Sequence, residues 1–167
     1  RWQLHYKQQE VENNLRRIGG VELPPISPIL GCEHEYYYRN KLEFSFACRR
    51  WYTREELDTA GEISSPEPAL GFHIQGRWDK VLDVRECLLQ PDPSNAIRDE
   101  IKRYALEKGL DFFDPRTNQG LLRTLMLRIS QTTGEVMLLV QFGREDRPAR
   151  EGLLDHLHAR FPQITSL

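Results

Sequence analysis

Between Tyr37 and Phe46 apolar and polar residues alternate with a period of two. Tyr38, Asn40, Leu42, Phe44 and Phe46 fall on one face, and Arg39, Lys41, Glu43 and Ser45 on the other. This predicts a half-buried β-strand within 37–49. Leu70, Phe72 and Ile74 alternate with Gly71, His73 and Gln75 as a second strand, Gln75-Gly76 makes a turn, and Lys80 to Val84 forms a third. Two further strands, 121–130 and 135–142, flank Thr132-Thr133-Gly134, a hairpin signal, and Ile164 opens another strand. Helical periodicity marks three other stretches. Leu4, Val11, Leu15 and Ile18 predict a helix over 2–18 that Gly19-Gly20 ends. Ile97, Ile101, Tyr104 and Ala105 predict one from Pro93-Ser94 to Lys108, with Gly109 as the stop. Leu153, Leu154 and Leu157 predict a third over 145–160. Pro24, Pro25 and Pro28 make an extended connector, and 53–68 reads as an exposed excursion with at most one helical turn. Strands joined by tight turns, with helices between groups of them, give an α+β fold: an antiparallel or mixed β-sheet packed with helices.

At 167 residues the chain can bury roughly 70% of its unfolded surface as one domain without staples. Three cysteines (Cys32, Cys48 and Cys87) are too few and too scattered for a disulfide framework, which fits a reducing, cytoplasmic setting. No stretch approaches the ~20 apolar residues of a membrane span, so no membrane partner is expected. Lys plus Arg is 23 against 25 for Asp plus Glu, a net charge of −2. Any basic footprint must therefore be local. The chain opens at Arg1, closes in Ile164-Thr165-Ser166-Leu167, and has only Met126 and Met137 as methionines. We expect an excised middle piece of a longer protein.

The first candidate chemistry is electrostatic. Arg39 and Lys41 stand two residues apart on the outward face of one strand, about 7 Å along it. That is comparable to the spacing of neighbouring phosphates on a nucleic-acid strand, so the strand can dock a backbone; a solvated strand face is the alternative. Arg77 in Gly76-Arg77-Trp78 sits at a turn tip beside an aromatic, as a stacking and phosphate-contact pair would, although such neighbours are more often surface packing. No Gly-rich phosphate loop follows a strand. The five histidines lack metal-site spacing with the cysteines, and Asp111 and Asp114, beside Pro115, read as turn formers. No nucleophile–base arrangement stands out, so no catalytic residue is expected in this chain. Cys87, just past a strand, is by itself most often a small buried apolar residue.

A set of segments then comes in order: Arg16-Arg17-Ile18-Gly19-Gly20, Tyr38-Arg39-Asn40-Lys41-Leu42-Glu43-Phe44-Ser45-Phe46, Leu70-Gly71-Phe72-His73, Gly76-Arg77, Val81-Leu82-Asp83-Val84 and Cys87-Leu88-Leu89. Gly120-Leu121-Leu122-Arg123 and Leu127-Arg128 follow. Order, spacing and identity resemble the middle region of bacterial RNA (uracil-5-)-methyltransferases, the 23S rRNA 5-methyluridine branch, over nearly all 167 residues.

The resemblance implies an intact enzyme with an RNA-binding β-barrel, a cysteine motif ending Cys-Gly-Gly-Cys, a central α/β domain and a Rossmann-like domain that binds S-adenosylmethionine. In those terms 1–22 is the helix after the cysteine motif, 23–163 the central domain, and 164–167 the start of the cofactor domain. It further implies that Cys87 is the fourth ligand of a [4Fe–4S] cluster in the intact protein, with Cys32 and Cys48 structural. Arg39, Lys41, Arg77, Arg123 and Arg128 become candidate RNA contacts, 23S rRNA the partner, and a monomer the expected state. The chemistry implied is addition of an enzyme cysteine to carbon 6 of a flipped-out uracil and methylation at carbon 5, by residues outside this chain. The alternative is a non-catalytic RNA- or protein-binding module related to that family.

Overall fold

The computed structural model describes residues 2–60 and 66–167. The chain falls into two compact units, Arg1–Glu35 and Tyr36–Leu167. In the first unit the proline-rich segment packs with the helix before it: the Ile29 amide donates to Gln8 Oε1 at 3.0 Å, and the Leu4 side chain lies against Gly31.

In the first unit α1 (Trp2–Asn13) runs into a wider π-helical turn, Asn14–Ile18, capped by the Gly19 amide on the Asn14 carbonyl. The apolar stripe read from the sequence is present but not buried. Leu4 is half-buried, while Val11, Leu15 and Ile18 are exposed, since this unit offers only an extended segment to pack against.

The second unit is a seven-stranded mixed sheet in the order β2-β4-β3-β1-β5-β6-β7. Its strands are β1 (Lys41–Ala47), β2 (Arg50–Trp51), β3 (Ala69–Ile74), β4 (Arg77–Asp83), β5 (Leu122–Ile129), β6 (Val136–Phe142) and β7 (Ile164–Ser166). The β2–β4 and β6–β7 pairs are parallel and the others antiparallel. This is the α+β architecture expected. The alternation in β1 holds from Leu42 onward: Leu42, Phe44 and Phe46 are buried, whereas Tyr38 and Asn40 precede the strand and are exposed. Ile164–Ser166 adds to this sheet as its edge strand beside β6.

Helices α3 (Ser94–Lys108) and α4 (Arg147–Arg160) cover one face. Their Ile97, Ile101, Ala105, Leu153 and Leu157 join Phe44, Leu125, Leu127 and Leu138 in a single core. Gly109 takes the left-handed conformation (φ 66°) that ends α3, where its amide caps the helix. Glu100 of α3 accepts hydrogen bonds from Arg103 and from His156 of α4, which hold its carboxyl at about 2. On α4 the Asp146 side chain caps the Ala149 amide at 3.2 Å.

Two elements were missed. Arg54–Ala60 forms a short helix, α2, where at most one turn was expected; residues 61–65 of that excursion lie outside the described residues. A reciprocal capping box starts it, with the Thr53 amide donating to Glu56 Oε2 (2.9 Å) and the Glu56 amide to Thr53 Oγ1 (3.3 Å). The two-residue β2 carries too little pattern to be read, and β4 begins at Arg77, ahead of the apolar run. Asp114 is a turn former as expected, its Oδ1 accepting the Arg116 amide at 2.9 Å; Asp111 is not, since its carboxylate pairs with Arg144 at 2.6 Å and only its backbone carbonyl accepts the Leu121 and Leu122 amides.

The β1–β5 register sets Lys41 directly opposite Arg128 on the solvent face. Like charges at paired positions repel, and the penalty is about 0.2–1 kcal/mol in such pairs. Lys41→Glu should therefore raise the thermal midpoint of the protein by about 1–3 °C. An unchanged or lowered midpoint in calorimetry would show that the pair carries no repulsion.

Candidate nucleic-acid interface

Three of the five predicted cations meet at one end of the sheet. Arg39 leads into β1, Lys41 opens it, and Arg128 stands across from Lys41 near the end of β5. The β5–β6 turn closes the other side, so that Tyr38, Arg39, Lys41, Arg128, Ser130 and Gln131 line a groove of about 840 Å³. Its lining contains no carboxylate. Among the described residues, none of the three cations forms an ion pair, although Lys102–Asp83, Arg144–Asp111 and Arg150–Glu145 pair at 2.6 Å elsewhere. Glu43 follows Lys41 on the same face without engaging either cation. A field of one sign facing water concentrates anions.

The end of β1 that carries these residues is held from beneath. Gln90, wholly buried, donates through Nε2 to the Asn40 carbonyl (3.1 Å) and the Leu127 carbonyl (3.2 Å), while its Oε1 accepts the Ser94 hydroxyl (2.6 Å). From the side, the Tyr37 amide donates to the Leu88 carbonyl (2.7 Å) and the Arg39 amide to the Leu89 carbonyl (2.8 Å). Gln131 Nε2 donates to the Tyr37 carbonyl at 3.1 Å. The backbone leading into the groove is thus tied at Tyr37, Arg39 and Asn40.

The other two cations stand apart from it. Arg77 is exposed on the β3–β4 hairpin, at the same end of the sheet but two strands from β1. Arg123, the second residue of β5, lies at the opposite end, with its guanidinium 4.8 Å from the centre of the Phe113 ring. Sequence reasoning missed the groove's third wall, Ser130 and Gln131, because only the β1–β5 register brings that turn beside Arg39.

Cys87 is 5% exposed and belongs to the edge of the core, in the wall of a separate cavity of about 650 Å³ shared with Phe72, Leu82 and Val84. Asn95 clamps its backbone, accepting the Cys87 amide at 2.8 Å and donating to its carbonyl at 3.0 Å. The fully buried Arg98 fixes that clamp, donating to Asn95 Oδ1 (2.8 Å) and the Arg85 carbonyl (2.7 Å). Among the described residues no three His, Cys, Asp or Glu side chains gather as a metal site. Cys32 is exposed and donates to the His34 carbonyl (2.8 Å), and burial pushes the Cys48 thiol up, helped by Asp114. No helix among the described residues is long and apolar enough to cross a membrane.

No protein-family model matches the chain. It is 49% identical, over 99% of its length, to a Porphyromonas gingivalis protein named an uncharacterized RNA methyltransferase, and covers 36% of that protein. A protein of the same name from Bacteroides thetaiotaomicron is 46% identical over 99% of the chain and 37% of its own length. One from Chlorobaculum tepidum is 34% identical over 96% of the chain, which spans 33% of it. Among solved structures, a Pyrococcus abyssi tRNA (uracil-54, C5)-methyltransferase in complex with S-adenosyl-L-homocysteine aligns over 91% of this chain and 31% of its own, with a TM-score of 0.60 and 20% identity. At that identity the likeness shows the fold alone. Over nearly all of its length the chain is thus similar to proteins named RNA methyltransferases, and it spans about a third of the length of the curated relatives it matches.

Proposed function

We propose that this chain is the central, RNA-docking part of an S-adenosylmethionine-dependent RNA (uracil-5-)-methyltransferase acting on 23S rRNA in the cytoplasm. The observation that carries the reading is the groove where Arg39, Lys41 and Arg128 converge with no carboxylate among them. A cross-strand pair of cations is a fault in a structural sheet and an asset in a phosphate site, where the anion relieves the repulsion. The methyl donor and the groups that activate uracil belong to other parts of the intact protein. This chain holds the RNA backbone while the target base is presented. Arg77, on the hairpin at the same end, extends the basic surface, and Arg123 serves a separate contact at the far end.

Cys87 suits one corner of a [4Fe–4S] cluster: its backbone is fixed by Asn95 and it borders a cavity. Four thiolates are needed, so the remaining ligands would come from elsewhere in the intact protein. When bound, such a cluster would tie the Cys87 segment to its neighbours. Leu88 and Leu89 of that same segment hold Tyr37 and Arg39, so the cluster would also brace the groove.

Two outcomes test this reading. In the intact protein, Arg39→Ala, Lys41→Ala and Arg128→Ala should each flatten the salt dependence of RNA affinity by about one phosphate contact, a slope change of about 0.7–0.9. Unchanged slopes in all three would refute the docking role. Cys87→Ser should remove iron and the visible absorbance of the purified intact protein while leaving its circular dichroism unaltered. Retention of both iron and absorbance would return Cys87 to a packing role.

A further inference from the structure

Tyr38 is half exposed, at 50%, and it is the one aromatic in the lining of the basic groove. An aromatic ring left in water forgoes the stabilisation of burial. The backbone that carries it is nevertheless fixed, because both neighbours are pinned: Tyr37 by the Leu88 carbonyl and by Gln131, Arg39 by the Leu89 carbonyl. Tyr37 adopts φ 56°, a left-handed conformation that non-glycine residues rarely take. The backbone turns there, ahead of the strand, and the next residue, Tyr38, lines the groove. Beyond the ring, Arg39, Lys41 and Arg128 supply cations, and Ser130 and Gln131 supply polar groups beside them.

Resting on the docking role proposed above, we infer that Tyr38 is a stacking platform for an unpaired base, so that the groove takes single-stranded RNA rather than a duplex. A ring flanked by backbone-tracking cations is the combination by which single strands are held: phosphates meet the cations and a base lies on the ring. Inside an A-form helix the base faces are already stacked on one another and none is free to meet Tyr38. A duplex could touch the cations only. Stacking and charge therefore separate experimentally, since the ring carries no charge and leaves counterion release unchanged.

The test is fluorescence anisotropy of the intact protein with a 12-nucleotide oligouridylate and with a 12-base-pair RNA duplex, each across a salt series. Tyr38→Ala should weaken oligouridylate binding by about tenfold with the salt slope unchanged. It should alter duplex binding by less than about twofold, and Tyr38→Phe should keep wild-type affinity for both. Wild-type affinity of Tyr38→Ala for oligouridylate would overturn the inference. So would equal losses on both RNAs, or a Tyr38→Phe variant as weak as Tyr38→Ala. If the cation variants flatten the slope while Tyr38→Ala is silent, the docking role stands and stacking falls. If no variant changes binding, both fall.

Discussion

One buried amide holds together the part of this molecule that faces outward. Gln90 has no exposed surface and all of its hydrogen bonds run to protein groups: the carbonyls of Asn40 and Leu127, and the hydroxyl of Ser94. A buried amide must be satisfied or it costs about 1–3 kcal/mol, so this set of contacts tolerates little slippage. It joins the residue before β1 to the residue before Arg128 in β5 and ties both to the first turn of α3. A shift of β1 by one residue would break these bonds and turn Lys41 inward while Leu42 turned out. The same interaction therefore fixes the core and the charged pair above it.

The charge arrangement has a physical logic that bulk composition conceals. The chain is slightly acidic, at −2, and many of its arginines are satisfied by nearby carboxylates. Against that background Arg39, Lys41 and Arg128 share a groove without an acid. Their placement sacrifices a little sheet stability for a concentrated field. Under the proposed docking role such a local patch suffices, because each phosphate contact adds to the others through a common ligand.

Much of this was legible in the sequence. The period-two stretch Leu42–Phe46, the Gly109 stop and the Gly134 turn each encode a local physical preference, and the structure realises them. The outer-face reading of Lys41 held for the same reason, since alternation alone decides which side it faces. What escaped was non-local or too short. Gln90 reads as an ordinary polar residue until the fold closes around it, and the coupling of Lys41 with Arg128 depends on a register between strands some eighty residues apart in sequence. Thr53-x-x-Glu56 was a readable helix start that the surrounding Gly, Ser and Pro residues obscured. The stripe on α1 was legible as periodicity, but its exposure was not, because periodicity states which residues share a face and not what meets it.

The claim on which the account rests is that RNA contacts this chain at the Tyr38–Lys41 and Arg128–Gln131 end of the sheet. Photo-crosslinking of the intact protein to RNA carrying 4-thiouridine, followed by peptide mass spectrometry, tests it directly. The account predicts crosslinks concentrated in peptides containing Tyr38 and Ser130. Crosslinks confined to the opposite end, around Phe113 and Arg123, or to the α4 surface, would contradict it.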